Sequence, residues 1–391
     1  MTRTIALALL FLATARGAAA QDTALVQGGI YQRPFLVTVG RTAVGGYAEG
    51  NANYFRTDGV GEGLSMELRR FNIFLFSSVG RRLRFISELE FEHGTEEIAL
   101  ETALMDFVVN PSFVVRGGIL LPPIGAFNVN HDSPRYDFVE RPLVSTEIIP
   151  ATLSEIGFGA HGRLAPPGFM LSYDAYLTNG LGDGVVVNPT GRTHLASGKS
   201  ESRFEEDNNG SPAFSGRLAA QARRLGEVGL SLYRGIYNSY RIEGEQVDEK
   251  RWVSLVALDF TTEVGSVSLR GEAAWAGIDV PGDLAEVLGD RQWGFHLDAV
   301  VPVWRPRIAG LPDPVVSAGL RLERVDWNRG TFASTGLKIY DELGAVTASL
   351  SFRPAAGTVF RLNYRRESFR DLQGNPASKT GGFQVGFATY F

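Results

Sequence analysis

The chain has 391 residues, no cysteine and a net charge of −5. The missing thiols exclude a disulfide framework and a thiolate metal site, and the acidic balance excludes a basic nucleic-acid binder. With 46 Gly, 11% aromatic residues and four Lys, the composition suits many twisted strands and turns.

The first twenty residues place Arg3, an apolar stretch from Ile5 to Ala15 and Ala18-Ala19-Ala20 ahead of Gln21. This is the order of a secretory signal, and its apolar stretch is too short to span a bilayer. Residues 1–20 are therefore expected to be a signal peptide, 21–40 an N-terminal segment leading into a barrel, and 41–391 the barrel. No later stretch has the roughly 18 apolar residues of a helical span.

Period-two alternation then recurs along the chain. Leu83, Phe85, Leu89 and Phe91 lie opposite Arg82, Arg84, Glu88, Glu90 and Glu92. Three acids on one face cannot look into lipid, where a charge near the midplane costs about 2–4 kcal/mol. Val267, Leu269, Ala273 and Trp275 oppose Arg270 and Glu272, and Trp293, Phe295 and Leu297 oppose Gln292, His296 and Asp298. Val346, Ala348, Leu350 and Phe352 alternate with Thr347, Ser349, Ser351 and Arg353; after a short turn, Phe360, Leu362 and Tyr364 alternate with Arg361, Asn363 and Arg365. The last strand sets Phe383, Val385 and Phe387 against Gln384, Gly386 and Ala388 and ends on Phe391, an aromatic suited to a girdle at the bilayer interface.

Such runs number about sixteen, near 41–55, 64–78, 81–93, 97–109, 113–121, 154–164, 168–178, 213–224, 227–240, 251–262, 265–277, 291–303, 314–327, 338–353, 357–369 and 380–391. The predicted fold is all-β: a transmembrane antiparallel β-barrel of about sixteen strands. A soluble sandwich would keep its outer face polar, where this chain carries Trp252, Trp275, Trp293 and Tyr364. Short connections alternate with long ones at 122–153, 179–212 and 278–290, as periplasmic turns alternate with extracellular loops. The stretch 190–212, rich in Ser, Asn, Gly and charge, reads as a mobile exterior loop.

A closed barrel of this size leaves an aqueous lumen, so function depends on what narrows it. Segment 122–153 mixes stiffening prolines with charge and is the expected inward-folded constriction loop. Asp132, Arg135, Asp137, Glu140, Arg141 and Glu147 are its candidate constriction residues; Arg84, Glu88, Glu90, Glu92, Arg116 and Glu155 are candidates for the pore wall, with Glu101 and Arg163 beside them. Other chemistries are less well supplied. His131-Asp132-Ser133 offers a histidine and a hydroxyl for a lipid hydrolase, but Pro134 follows at once and no regular strand surrounds them. Glu88, Glu90, Glu92 and His93 offer oxygens to Ca²⁺, yet alternate residues of a strand lie almost 7 Å apart. No cofactor is called for.

The string Gly45-Gly46-Tyr47-Ala48-Glu49-Gly50-Asn51-Ala52-Asn53-Tyr54, the stretch from Arg69-Arg70-Phe71 to Phe91-Glu92-His93, and Glu140-Arg141-Pro142 with Ile148-Ile149-Pro150 resemble the phosphate-selective porin O/P-like family. The resemblance is most specific over residues 45–165. It implies a sixteen-stranded trimer in outer-membrane lipid, passing small polar or ionic solutes by diffusion, anions such as phosphate among them. Selective members rely on a cluster of lysines and arginines, whereas Lys199, Lys250, Lys338 and Lys379 all lie outside 122–152. The expectation is thus a porin of the outer membrane of a Gram-negative-type bacterium. An outer-membrane enzyme and a structural or adhesive barrel are the alternatives.

Overall fold

The computed structural model describes residues 37–39, 41–61, 63–199, 204, 207, 209–222, 225–282 and 284–391. The expected signal peptide, and residues 21–36 and 40 of the expected N-terminal segment, lie outside the described residues. Val37–Val39 of that segment forms a short strand that turns back onto Thr42, Ala43 and Val44.

Sixteen long strands follow among the described residues. The first eight are β1 (Thr42–Thr57), β2 (Leu64–Ser78), β3 (Leu83–Glu92), β4 (Glu97–Asn110), β5 (Phe113–Leu120), β6 (Glu155–Leu164), β7 (Phe169–Thr178) and β8 (Ala213–Ala222). The rest are β9 (Gly226–Ile236), β10 (Trp252–Val264), β11 (Val267–Ile278), β12 (Arg291–Trp304), β13 (Val315–Asp326), β14 (Glu342–Ala355), β15 (Thr358–Arg370) and β16 (Ser378–Tyr390). Each pairs antiparallel with its neighbour in sequence, and β16 returns to β1 with Phe383 opposite Tyr54 and Tyr390 opposite Tyr47. Closure removes the exposed edge that hydrocarbon would not tolerate.

The chain's last residue completes the seam. Gly46 and Phe391 exchange two backbone hydrogen bonds of 3.1 and 3.0 Å, and the Phe391 ring stacks on Phe71 of β2 with 5.3 Å between centroids. A side chain at position 46 would run into the Asn72 backbone carbonyl first and then into that ring, so only glycine fits there.

Alternation sorts the two faces as the sequence implies. On β15 the outward Leu362 is 46% exposed, while Arg361, Asn363 and Arg365 are buried on the inside. Register shifts interrupt the ladders at five places among the described strands, and two of them set an extra charged residue on the inner face. Between β1 and β2, Glu49 pairs with Arg70 and Gly50 with Leu68, which leaves Arg69 extra and turns it inward beside Arg70. Between β3 and β4, Glu88 pairs with Thr102 and Leu89 with Leu100, so Glu101 is the extra residue. A bulge re-aims a side chain in this way at a small cost in pairing.

Two connections are longer than expected. Residues 237–240 and 338–341, read as strand, belong to the connections 237–251 and 327–341. The stretch 190–212 is not a free exterior loop as far as Lys199. Leu195 is fully buried, and the Gln292 amide donates to the carbonyl and hydroxyl oxygens of Thr193 at 2.7 Å.

The interior is lined by charged groups on one side and filled by apolar packing on the other. Val253, Leu255 and Ala257 of β10, with Ala274, Ala276 and Ile278 of β11, face inward and are buried against Ile124, Val144, Ile148, Ile149, Leu181 and Leu195 of the long loops. The expected polar lumen face is therefore replaced here by an apolar core, because loop residues rather than water cover it. Replacing Leu362 with Arg puts a charge on the lipid side and is expected to cost about 2–4 kcal/mol in urea unfolding from lipid vesicles. An unchanged unfolding midpoint would contradict the assigned outer face.

Candidate functional site

The connection between β5 and β6, residues 121–154 and hereafter L3, turns into the ring and touches most of its perimeter. Proline at 122 and 123 stiffens its entry. Gly125 then takes φ +68°, where its N–H donates to Ser231 Oγ of β9 at 3.0 Å. A Cβ at this position would collide with the Glu272 carboxylate, which accepts from the N–H groups of Ala126 and Phe127 at 2.9 and 3.2 Å and from Ser145 Oγ at 2.7 Å. Glu272 of β11 thus holds both limbs of the loop.

The middle of L3 is strapped to the opposite wall by arginines. Arg353 donates to the carbonyl of Pro134 (2.7 Å), Arg361 to that of Phe138 (2.8 Å) and Arg321 to that of Glu140 (2.7 Å). Asn363 Oδ1 accepts from the Val139 N–H at 2.7 Å, and Glu323 accepts from the Leu143 N–H at 2.8 Å. A short helical turn, Val144–Ile148, then lies against β11, β12 and β13.

A cavity of about 900 Å³ remains between L3 and the inner faces of β1 to β4, β15 and β16, at the end bearing the long connections. Eight carboxylates line it: Glu67, Glu90, Glu92, Glu97, Glu101, Glu140, Glu147 and Glu367. Against them stand Arg69, Arg70, Arg141, Arg365 and Lys199. Most of the cations already have anionic partners. Arg69 reaches Glu67 at 2.9 Å and Glu140 at 3.1 Å; Arg70 reaches Glu49 at 3.1 Å and Glu92 at 2.7 Å; Arg365 reaches Glu323 at 2.6 Å.

Of the six residues expected at the constriction, Glu140, Arg141 and Glu147 line this cavity. Asp132, Arg135 and Asp137 point to the wall instead. Tyr390 Oη donates to Asp132 at 2.8 Å and accepts from Arg135 at 3.2 Å, while Asp137 accepts from Ser351 at 2.8 Å and Arg353 at 3.1 Å. Among the wall candidates, Glu90 and Glu92 face the cavity. Glu88 accepts from Asn72 at 2.8 Å, Arg116 grips Asp106 at 2.7 and 2.8 Å, and Glu155 accepts from Thr178 and Tyr233; Arg84 is partly buried and outside the lining. Arg69, Arg70 and Arg365 were missed as site residues. Arg365 lay on the charged face of its strand, a usable signal, but Arg69 and Arg70 are adjacent and only a bulge turns both inward.

The weaker chemistries are not assembled as the sequence placed them. Ser133 Oγ donates to Glu49 at 2.6 Å, whereas His131 meets Glu101 at 3.1 Å and the Asn128 carbonyl at 3.0 Å, so the two do not bond to each other. His93 sits half-exposed in a turn 3.1 Å from Glu67, away from Glu88 and Glu90.

Known proteins with this architecture are found by structure rather than by sequence. No protein-family model matches the chain. An uncharacterized protein of Aquifex aeolicus is 36% identical over 146 residues, which are 36% of this chain and 32% of that relative, so the match spans about a third of the relative's length. An anion-selective porin from Comamonas acidovorans superposes with a TM-score of 0.56 at 13% identity, covering 90% of this chain and 99% of that one. OmpF of Salmonella typhi, in complex with daunomycin, gives 0.55 at 9% identity over 91% and 100%. OmpT of Vibrio cholerae in its trimer form gives 0.51 at 11% identity over 90% and 99%. The fold is that of the outer-membrane porins. The narrower phosphate-selective family is not confirmed by them.

The Arg69–Glu140 tie gives L3 a defined pH response. Burial pushes the Glu140 carboxyl up, but Arg69, helped by Gln384 and Arg365, holds it below its ordinary value. A depressed carboxyl stabilises the fold above its unfolded pKa and loses that contribution as pH falls through the folded value. With 33% of the Glu140 side chain exposed, the tie is worth about 1 kcal/mol rather than the several of an enclosed pair. Wild type should therefore melt above Glu140→Gln at pH 7, and the gap should close only below about pH 4.3. A gap that persists undiminished at pH 3 would sink this assignment.

Proposed function

We propose that the chain is a porin passing small hydrophilic solutes by passive diffusion around L3, with a preference for cations. The observation that carries this reading is the lining of the cavity, where carboxylates outnumber basic groups and most of the arginines are already paired. In a narrow passage with low-dielectric walls, a surplus of one sign raises the local concentration of the opposite ion. Each site along the way holds its solute weakly, since conduction requires leaving as readily as entering.

The apolar packing of L3 against β10 and β11 moves the passage toward β1 to β4, β15 and β16. In this reading Glu140, Arg141 and Glu147 set the width and field on the loop side, and Glu90 and Glu92 do so on the wall. Asp132, Arg135 and Asp137 hold the loop in place. We infer a homotrimer, supported by the trimer form of the Vibrio cholerae barrel. The anion preference of the Comamonas acidovorans porin is not carried over. That selectivity belongs to a chain of 13% identity, and the lining here has the opposite surplus.

The test is current through a planar bilayer. Stepwise conductance is expected, with a reversal potential in a KCl gradient that favours K⁺. Replacing Glu97 and Glu147 together with Gln should reduce the K⁺/Cl⁻ permeability ratio about two-fold or more at low salt. A wild-type preference for Cl⁻ overturns the cation reading. The absence of steps overturns the porin reading and favours a structural or enzymatic barrel.

A further inference from the structure

We propose that the inner wall where β3, β4 and L3 meet binds a divalent first-row cation, of the zinc or manganese kind, through Glu88, Glu90, Glu101 and His131. One ligand atom from each of these buried residues lies within 4.8 Å of all the others. An ion with bonds of about 2.1 Å holds its ligand atoms about 3–4 Å apart, a separation reached by small side-chain rotations. The residues come from three places in the chain. Glu88 and Glu90 are alternate inward positions of β3, Glu101 is turned toward them by its bulge, and His131 descends from L3.

The hydrogen bonds around the cluster orient it for an ion. His131 Nδ1 faces the Asn128 carbonyl at 3.0 Å, and a carbonyl accepts only from N–H. Its Nε2 then presents a lone pair to the Glu101 carboxylate 3.1 Å away, a repulsive contact unless a proton or a cation lies between them. Backbone carbonyls orient metal-binding histidines in the same manner. Asn72 Nδ2 donates to Glu88 and to Glu90 at 2.8 Å each, fixing one oxygen of both carboxylates.

A separate observation also points to a missing partner. Asn72 and Tyr47 are fully buried, face each other across β1 and β2, and carry a side-chain carbonyl and a hydroxyl with no hydrogen-bond partner. Both belong to the row that leads to Glu90, and the Tyr47 hydroxyl lies within electrostatic reach of Glu90 and Glu101. A bound ion, with the water it carries, satisfies such orphaned oxygens. Neighbouring guanidiniums answer this charge only in part: Arg116 is held by Asp106, Arg70 is shared among Glu49, Glu90 and Glu92, and Arg141 of L3 is the one remaining guanidinium within electrostatic reach of Glu90 and Glu101 among the described residues. Three carboxylates and one imidazole suit Zn²⁺ or Mn²⁺ better than Ca²⁺, which takes oxygen ligands throughout. Such an ion clasps L3 to the wall beside the cavity.

The full chain, folded in detergent and stripped with chelator, is titrated with ZnCl₂ and with MnCl₂ in a calorimeter. One site per chain is expected, weakened about ten-fold or more in Glu101→Gln and His131→Gln and unchanged in Glu263→Gln. Absence of stoichiometric binding in the wild type, or full binding in both site variants, overturns the proposal and leaves a proton as the occupant. Should those variants fail to fold, Mn²⁺ bound to the wild type must show electron-spin coupling to one imidazole nitrogen, and its absence is equally fatal. A chain that conducts but binds no ion refutes this site alone. A chain that binds the ion but passes no current refutes the porin reading alone.

Discussion

A loop drawn into a closed ring carries its backbone away from bulk water, and every N–H and C=O it buries must find a partner on the wall. That requirement organises the interior of this barrel. Arg321, Arg353 and Arg361 each donate to an L3 carbonyl, while Glu272, Glu323 and Asn363 accept from L3 amides. An unmet buried amide costs about 1–3 kcal/mol, so removing a few of these straps together would make the inward path worse than a path over the rim. Many of the charges that alternation places inside the ring therefore hold the loop rather than greet a solute.

The two sides of the lumen differ because the loop has two kinds of surface. Ile124, Val144, Ile148, Ile149 and Leu153 are apolar and pack on the inward faces of β10 and β11, whose Val253, Leu255, Ala274 and Ala276 match them. Glu140, Arg141 and Glu147 are polar and face the cavity opposite. Gly125 links the arrangement to a single backbone conformation, since its positive φ and its contact with Glu272 leave no room for a side chain. The loop is thus amphipathic across its width, and the ring answers it with an apolar arc and a charged arc.

Much of this was legible in the sequence and some of it was not, for identifiable reasons. Strand number, order and facing follow from period-two alternation, which fails only where a strand is apolar on both faces or carries a bulge. β10 is the first case, because its inner Leu255 and outer Leu258 look alike until L3 is known to cover one of them. Arg69 and Glu101 are the second, because each is the extra residue of a bulge and no alternation predicts its face. The inward turn of segment 122–153 was readable from prolines and mixed charge. Which of its charges face the cavity was not, since Asp132, Arg135 and Asp137 find their partners, Tyr390, Ser351 and Arg353, more than two hundred residues away.

Anion capture in a pore needs cations whose charge is not already answered by the protein. Here Arg361 is divided between Glu49 and the L3 backbone, Arg321 between Asp298 and the Glu140 carbonyl, and Arg365 among Glu323, Glu367 and Thr347. A guanidinium bound on both sides is a strut with little field left for a passing ion, because its carboxylate partner cancels it within a few ångströms and screening removes the remainder beyond about 8–10 Å. The basic residues of β13 to β15 thus account for how L3 is held, while eight carboxylates stand against five basic side chains in the lining of the cavity. Resemblance in strand pattern and inward loop is compatible with a reversed field, because the architecture depends on pairing the loop backbone and the selectivity depends on which charges that pairing leaves over.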